Sequence, residues 1–173
     1  MLKVAAWMAV AIVVLLVDRT DAMACSCARL TAVDRAGVHR ELTHTETLAA
    51  HVQGTSAIFS GRVIRQTERT TTFQVATVWK GDLSREFTLV TEGMLSPEGS
   101  WMRSSCAAYF EVGQEYVVFA DGASIDSMSA NVCRPYGYLR AESETVTYLD
   151  RVLRRRVPSK EPRASRIDPS SRR

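Results

Sequence analysis

The stretch TTFQVATVWKG, residues 71–81, is the clearest structural signal in this chain of 173 residues. It is rich in β-branched and aromatic side chains, and large and small or polar residues alternate along it, which predicts a strand. The alternation places Phe73, Val75, Thr77 and Trp79 on one face and Gln74, Ala76 and Val78 on the other. Lys80-Gly81-Asp82 then predicts a turn. We therefore expect a half-buried strand that ends sharply at Gly81.

Four more strands are predicted around this one. AIFSGRVIRQ (57–66) precedes it and alternates loosely around a glycine, which is typical of a bulge or a bend. REFTLVTEG (85–93) and the compact apolar run EYVVFADG (115–122) follow it, and YGYLR (136–140) is a short fifth candidate. Residues 94–108, with their proline and glycine, are predicted to form a long loop.

One helix is predicted before these strands and one after them. In LTHTETLAAHVQG (42–54), Thr43 and Glu46 have the spacing of a capping box, and Gly54 marks the end. Apolar residues recur at helical spacing over 143–153. Short strands flanked by two helices predict a mainly β domain, a small barrel with helical supports, over residues 25–153.

The first 24 residues have the pattern of a signal peptide. Lys3 is followed by an uninterrupted apolar run, 4–17, which is shorter than the ~20 residues that a membrane span needs. Ala22-Met23-Ala24 has the small-x-small form of a cleavage site, so the mature chain is predicted to begin at Cys25. An uncleaved anchor and acylation of Cys25 are less favoured alternatives, because the run is short and the polar DRTDAMA separates it from the cysteine. The predicted location is secreted, or periplasmic and cell-envelope, with no membrane span after cleavage.

The net charge of +3 is unevenly distributed. Residues 154–173 hold seven arginines and Lys160 against Glu161 and Asp168, a balance of +6, whereas residues 25–153 carry −3. The final segment also contains three prolines and almost nothing apolar, which predicts a disordered basic tail. An acidic body gives no support for nucleic-acid binding, although barrels of this kind can bind single strands.

The four cysteines, Cys25, Cys27, Cys106 and Cys133, all follow the predicted cleavage point. An even number in an exported chain favours disulfides. A bond between Cys25 and Cys27 would close a very tight ring, so each is expected to reach a distant partner. A structural zinc site is the alternative, but ligand pairs are usually spaced C-x₂₋₄-C rather than C-x-C.

The sequence contains no pattern typical of an enzyme. There is no Ser/His/Asp set, no phosphate loop and no H-E-x-x-H motif. His39, His44 and His51 do not form a metal-binding pattern on their own. We therefore predict neither enzymatic activity nor a cofactor.

Several of these segments together resemble a known family. CSC at the predicted mature start, the helix after it, AIFSGRV, FQVATVWKG, SSCAAYFEVGQEYVVFA and NVC are similar to the N-terminal inhibitory domain of the tissue inhibitors of metalloproteinases, within the wider netrin-like group. The resemblance covers about residues 25–140. It implies a five-stranded OB-fold barrel, with Cys25 paired to Cys106 and Cys27 paired to Cys133. The animal inhibitors have twelve cysteines and a second domain, so this four-cysteine chain looks more like a short bacterial netrin-like protein.

The resemblance also implies a mechanism and a partner. In the family, the amine nitrogen and carbonyl oxygen of the first cysteine bind the catalytic zinc of a target metalloprotease and displace its water. Cys25, Ser26 and Cys27 would form this inhibitory edge, with the small Ser26 side chain entering the specificity pocket. An α-amino group has a pKa near ~7.7–8.0, so a useful fraction is neutral at physiological pH.

The alternative needs no target protease. In it, the segment Cys25-Ser26-Cys27, called the CSC strip below, only attaches the chain start to the barrel through two disulfides. The protein is then a non-inhibitory exported module that binds another protein or the cell envelope, since one fold can host many functions.

Overall fold

The computed structural model describes residues 25–33, 35–153, 155, 156 and 158. The predicted signal peptide and residues 159–173 lie outside this range. In chain order, the elements are β1 (Thr31–Val33), β2 (His39–Glu41), α1 (His44–Gly54), β3 (Ala57–Gln66), β4 (Thr70–Lys80), β5 (Glu86–Val90), β6 (Gly93–Leu95), β7 (Trp101–Arg103), β8 (Glu115–Ala120), a 3₁₀ turn (Ile125–Ser127), β9 (Tyr136–Tyr138) and α2 (Ser143–Val152). None of the described helices is long and apolar enough to cross a membrane.

A five-stranded antiparallel sheet in the order β5-β4-β3-β8-β9 organises the fold. Its strands are the five that the sequence predicted, and the two predicted helices are also present. The mainly β architecture is therefore confirmed. Among the described residues the sheet is open, with β5 and β9 at its edges, rather than closed into a barrel.

The sheet buries a hydrophobic cluster on each face. The larger cluster includes Phe59, Phe73, Phe87 and Phe110, whose rings meet edge to face at centroid distances of 5.1–5.5 Å. Such edge-to-face contacts are a favoured arrangement of aromatic rings. The smaller cluster packs both helices against the other face and consists of Leu48, Ile58, Trp79, Val117, Phe119 and Leu149.

Strand β4 departs from simple alternation after Val75. Ser60 pairs with Thr77 and Gly61 pairs with Val75, which leaves Ala76 as an extra residue in β4. Such a bulge shifts the facing of the residues that follow it by one position. As a result Val78 joins Val75 in the larger cluster, and Trp79 lies in the smaller one. The sequence analysis placed Trp79 on the same face as Phe73 and Val75, and Val78 on the opposite face. Both of these predictions are therefore wrong.

The end of β4 attaches both helices to the sheet. Trp79 donates its indole N–H to the Asp150 carboxylate of α2, at 2.8 Å. Lys80 donates to the carbonyl oxygen of Val52, at 2.7 Å, in the last turn of α1. A cation at that position also complements the negative end of the helix dipole. Gly81 then turns the chain with a positive φ of 88°.

The start of α1 has the predicted capping box. Thr43 Oγ1 accepts a hydrogen bond from the Glu46 backbone N–H at 3.3 Å, and the Glu46 carboxylate accepts one from the Thr43 backbone N–H at 2.9 Å. Arg40 also contacts this carboxylate, and these hydrogen bonds hold the pKa of Glu46 well below its usual range. The helix therefore begins where the sequence placed it.

Three segments differ from the sequence prediction. The segment 94–108 was predicted as a loop but contains most of the β6–β7 hairpin, and β1 and β2 form a second hairpin before α1. The beginning of the predicted tail also belongs to the fold. Arg156 exchanges two backbone hydrogen bonds with Val78, at 2.8 and 3.0 Å, and Pro158 is buried. Arg156 can pair here because β5 covers only residues 70–74 of β4, which leaves the backbone of β4 at Val78 open to another segment.

Candidate functional site

The CSC strip is held at both of its cysteines. Cys25 is bonded to Cys106, with a Cα–Cα distance of 4.9 Å, and Cys27 is bonded to Cys133, at 5.2 Å. These are the pairs that the resemblance implies, and none of the four cysteines is free. The extreme start of the described chain is therefore tied to two segments that lie 81 and 106 residues further along.

The two anchoring segments are themselves paired. Val132 donates its backbone N–H to the carbonyl oxygen of Cys106 at 2.8 Å, and Ala108 donates to Ala130 at 3.0 Å. Asn131 Oδ1 also accepts from the backbone N–H of Cys133, at 3.0 Å. The strip is consequently bonded to a platform of two backbone-paired segments, 104–108 and 130–133, rather than to two independent loops.

Arg134 fixes this platform to the rest of the domain. Its guanidinium forms an ion pair with Asp121 at 2.7 Å and donates to the carbonyl oxygen of Gly54 at 3.2 Å. It also lies 3.3 Å from Nδ1 of His51, which must accept because a guanidinium has donors alone. Burial, and then the charge of Arg134, lower the pKa of His51, so its imidazole is neutral at physiological pH. No spacing in the sequence indicated that Arg134, Asp121 and His51 would meet, since they come from three separate segments of the chain.

The edge of the strip faces outward. Ser26 and Cys27 are exposed, whereas Cys25 is half-buried against the platform. A groove of about 450 Å³ adjoins the Cys27–Cys133 bond and is bordered by the exposed Arg29–Glu41 ion pair, with a separation of 2.6 Å. A partner could therefore reach Ser26 without any movement of the domain.

The sulfur atoms form a compact cluster. Those of Cys25, Cys27 and Cys133 all lie within 4.8 Å of one another, and the Cys25 and Cys133 sulfurs are 3.7 Å apart. Metal binding by cysteine requires the thiolate, and every sulfur here belongs to a disulfide. The bonding therefore favours disulfides over the zinc site considered from the sequence.

Comparisons with known proteins find no matching family model and no curated protein with significant similarity to the chain. The netrin-like resemblance accordingly depends on the sequence segments quoted above.

Proposed function

We propose that this protein is an exported, netrin-like OB-fold protein that inhibits a zinc metalloendopeptidase through the free amino terminus of Cys25. The observation that carries the proposal is the mounting of the CSC strip. Ser26 is exposed between two cysteines that are both bonded to one backbone-paired platform. Such a strip can present a chain start to a partner with little loss of conformational freedom on binding.

The OB-fold part of the proposal is supported by contacts at the open side of the sheet. Ser129 forms two isolated β-bridges. Its bridge to Val90, at the end of β5, is parallel, and its bridge to Asp121, after β8, is antiparallel. Val90 also donates its backbone N–H to Met128 at 2.8 Å. The segment around Ser129 thus touches both β5 and the end of β8, as the closing segment of a partly open, five-stranded barrel would.

The inhibitory chemistry requires a neutral amine beside an open metal position. Catalytic zinc has three protein ligands and a fourth position held by water or substrate. The Cys25 amine nitrogen and carbonyl oxygen would take the water's place, and Ser26 would enter the neighbouring pocket. Because the protonated amine cannot bind a metal, inhibition should strengthen as the pH rises through the amine pKa near ~7.7–8.0.

The decisive variant adds one alanine before Cys25. The mature protein beginning at Cys25, verified by N-terminal sequencing and intact mass, is compared with the extended form against a panel of zinc metalloproteases. The extra residue moves the amine away from the metal and leaves the disulfides unchanged. We expect equal thermal stability but at least about 100-fold weaker inhibition, equivalent to ~2.7 kcal/mol.

Acetylation of the amine is the matched chemical control, since an amide nitrogen is a poor zinc ligand. The mature chain has only two lysines, Lys80 and Lys160, so mass spectrometry can show that the terminus alone was modified. If the native form inhibits no protease, or if the extended form inhibits equally well, the chelation mechanism is wrong. The protein would then be assigned to the alternative class, a binding module.

A further inference from the structure

The two disulfides touch each other through one pair of sulfur atoms. Cys25 Sγ of the first bond and Cys133 Sγ of the second are 3.7 Å apart, which is van der Waals contact. Disulfides exchange when a thiolate attacks one sulfur of an existing bond and displaces the other. A thiolate produced at either of these positions would already lie against the neighbouring disulfide.

We propose that this contact is a thiol–disulfide exchange site, through which a low-molecular-weight thiol interchanges the pairing of the four cysteines. The external thiolate attacks Cys27 and releases Cys133 as a thiolate. Cys133 then attacks Cys25, forms a Cys25–Cys133 bond and releases Cys106. Finally Cys106 attacks Cys27 and displaces the external thiol. Each of the three steps breaks one disulfide and forms one, the final bonds are Cys25–Cys133 and Cys27–Cys106, and the external thiol is regenerated, so no net oxidant or reductant is consumed.

The exposure of the cysteines favours this order of events. Cys27 is exposed, whereas Cys25, Cys106 and Cys133 are half-buried. External attack therefore begins at Cys27, and the sulfur that leaves is the one in contact with Cys25. The backbone hydrogen bond from Val132 to Cys106 keeps the two anchoring segments together during the exchange. The first internal step therefore starts from two sulfur atoms that are already in contact.

Chain entropy does little to oppose the new pairing. Cys25 is separated from Cys106 by 81 residues and from Cys133 by 108 residues. In the loop-closure model, the probabilities that the ends of these two loops meet differ by a factor of only about 1.5. The native pairing is therefore maintained by local geometry, at a point where a competing sulfur is already in contact.

Four single variants of the mature protein test the exchange. Cys27→Ser leaves Cys133 as a thiol, and Cys106→Ser leaves Cys25 as a thiol, so each frees one member of the contacting pair. Cys25→Ser and Cys133→Ser are matched controls, because they free Cys106 and Cys27 instead. Each variant is purified at acidic pH, moved to pH 8, sampled over time and quenched with N-ethylmaleimide.

Peptide mapping then identifies the bonds. Trypsin leaves Cys106 and Cys133 in one peptide, 104–140, because Pro135 blocks cleavage after Arg134, so Glu-C is added to cut after Glu111 and Glu115. We expect both contact variants to form Cys25–Cys133 and to lose their native bond at least about tenfold faster than the controls. Native bonds that persist equally long in all four variants would overturn the proposal.

The unmodified protein gives a second measurement that does not depend on how any variant folds. It is incubated without oxygen with less than one equivalent of reduced glutathione, and linked peptides are fragmented to distinguish Cys25 from Cys27. Appearance of Cys25–Cys133 supports the exchange site. Its absence, while glutathione is found attached at Cys27, shows that Cys133 does not attack Cys25.

Discussion

Removing either disulfide should cost nearly the same free energy of unfolding, although the bonds close loops of different length. The variants replace whole pairs, Cys27→Ser with Cys133→Ser in one protein and Cys25→Ser with Cys106→Ser in the other, so that no free thiol remains. The sequence separations of 106 and 81 residues alone would suggest about 4.8 and 4.5 kcal/mol.

The bonds are not independent, and this changes the expected magnitude. With Cys25–Cys106 in place, the second bond closes a ring of about 30 residues, through 25–27, 106–133 and the first disulfide. The same ring is closed if Cys27–Cys133 forms first and Cys25–Cys106 second. Each pair should therefore contribute about 3.6 kcal/mol, and removing both should cost about 8 kcal/mol, more than twice the single effect. For a domain of this size, 3.6 kcal/mol corresponds to roughly 10–15 °C in Tm.

Urea unfolding followed by far-UV circular dichroism measures all four proteins under one condition. The two paired variants should agree within about 0.5 kcal/mol. A difference of several kcal/mol between them would refute the ring argument, because it would mean that native packing around one bond, rather than chain entropy, dominates. If the losses of unfolding free energy in the two paired variants add up to the loss in the protein that lacks all four cysteines, the two disulfides are not coupled through a shared ring.

Two further predictions concern the end of β4. Asp150→Ala leaves the buried Trp79 N–H without its acceptor and should cost about 1–3 kcal/mol, whereas Asp150→Asn keeps an acceptor and should cost less. The hydrogen bond from Arg155 lowers the pKa of Asp150, so this carboxylate contributes stability above its unfolded pKa near ~3.9. That contribution is lost as the pH falls through the lowered pKa of Asp150 in the folded protein. The free energies of unfolding of wild type and Asp150→Asn should therefore converge in acid. A difference between them that grows as the pH falls would contradict this prediction. Gly81→Ala should destabilise more than Gly113→Ala, because both have a positive φ but the new Cβ at 81 lies 3.1 Å from the Ala57 Cβ, while that at 113 has nothing within 4 Å. Equal melting temperatures for the two would show that the contact with Ala57 is harmless.

Much of the fold could be predicted from local signals in the sequence. Alternation, turn residues and apolar runs located all five strands of the main sheet, because side-chain facing has a period of two in any strand. The capping box at Thr43 and Glu46 marked the start of α1, since both partners lie within one turn. The disulfide pairing was implied by resemblance, whereas the cysteine spacing alone left it open.

Other features arise only when distant segments meet. The bulge at Ala76 depends on how β4 pairs with β3, so it reversed the facing of Val78 and Trp79 against the local pattern. Arg134 connects Asp121, His51 and Gly54, and Arg156 pairs with Val78, without any periodicity that a sequence could display. The contact between the sulfurs of Cys25 and Cys133 is of the same kind, across 108 residues. Local pattern determines which residues form each element, because it acts through neighbouring side chains and backbone. Which elements meet, and at which atoms, is decided by packing over the whole chain.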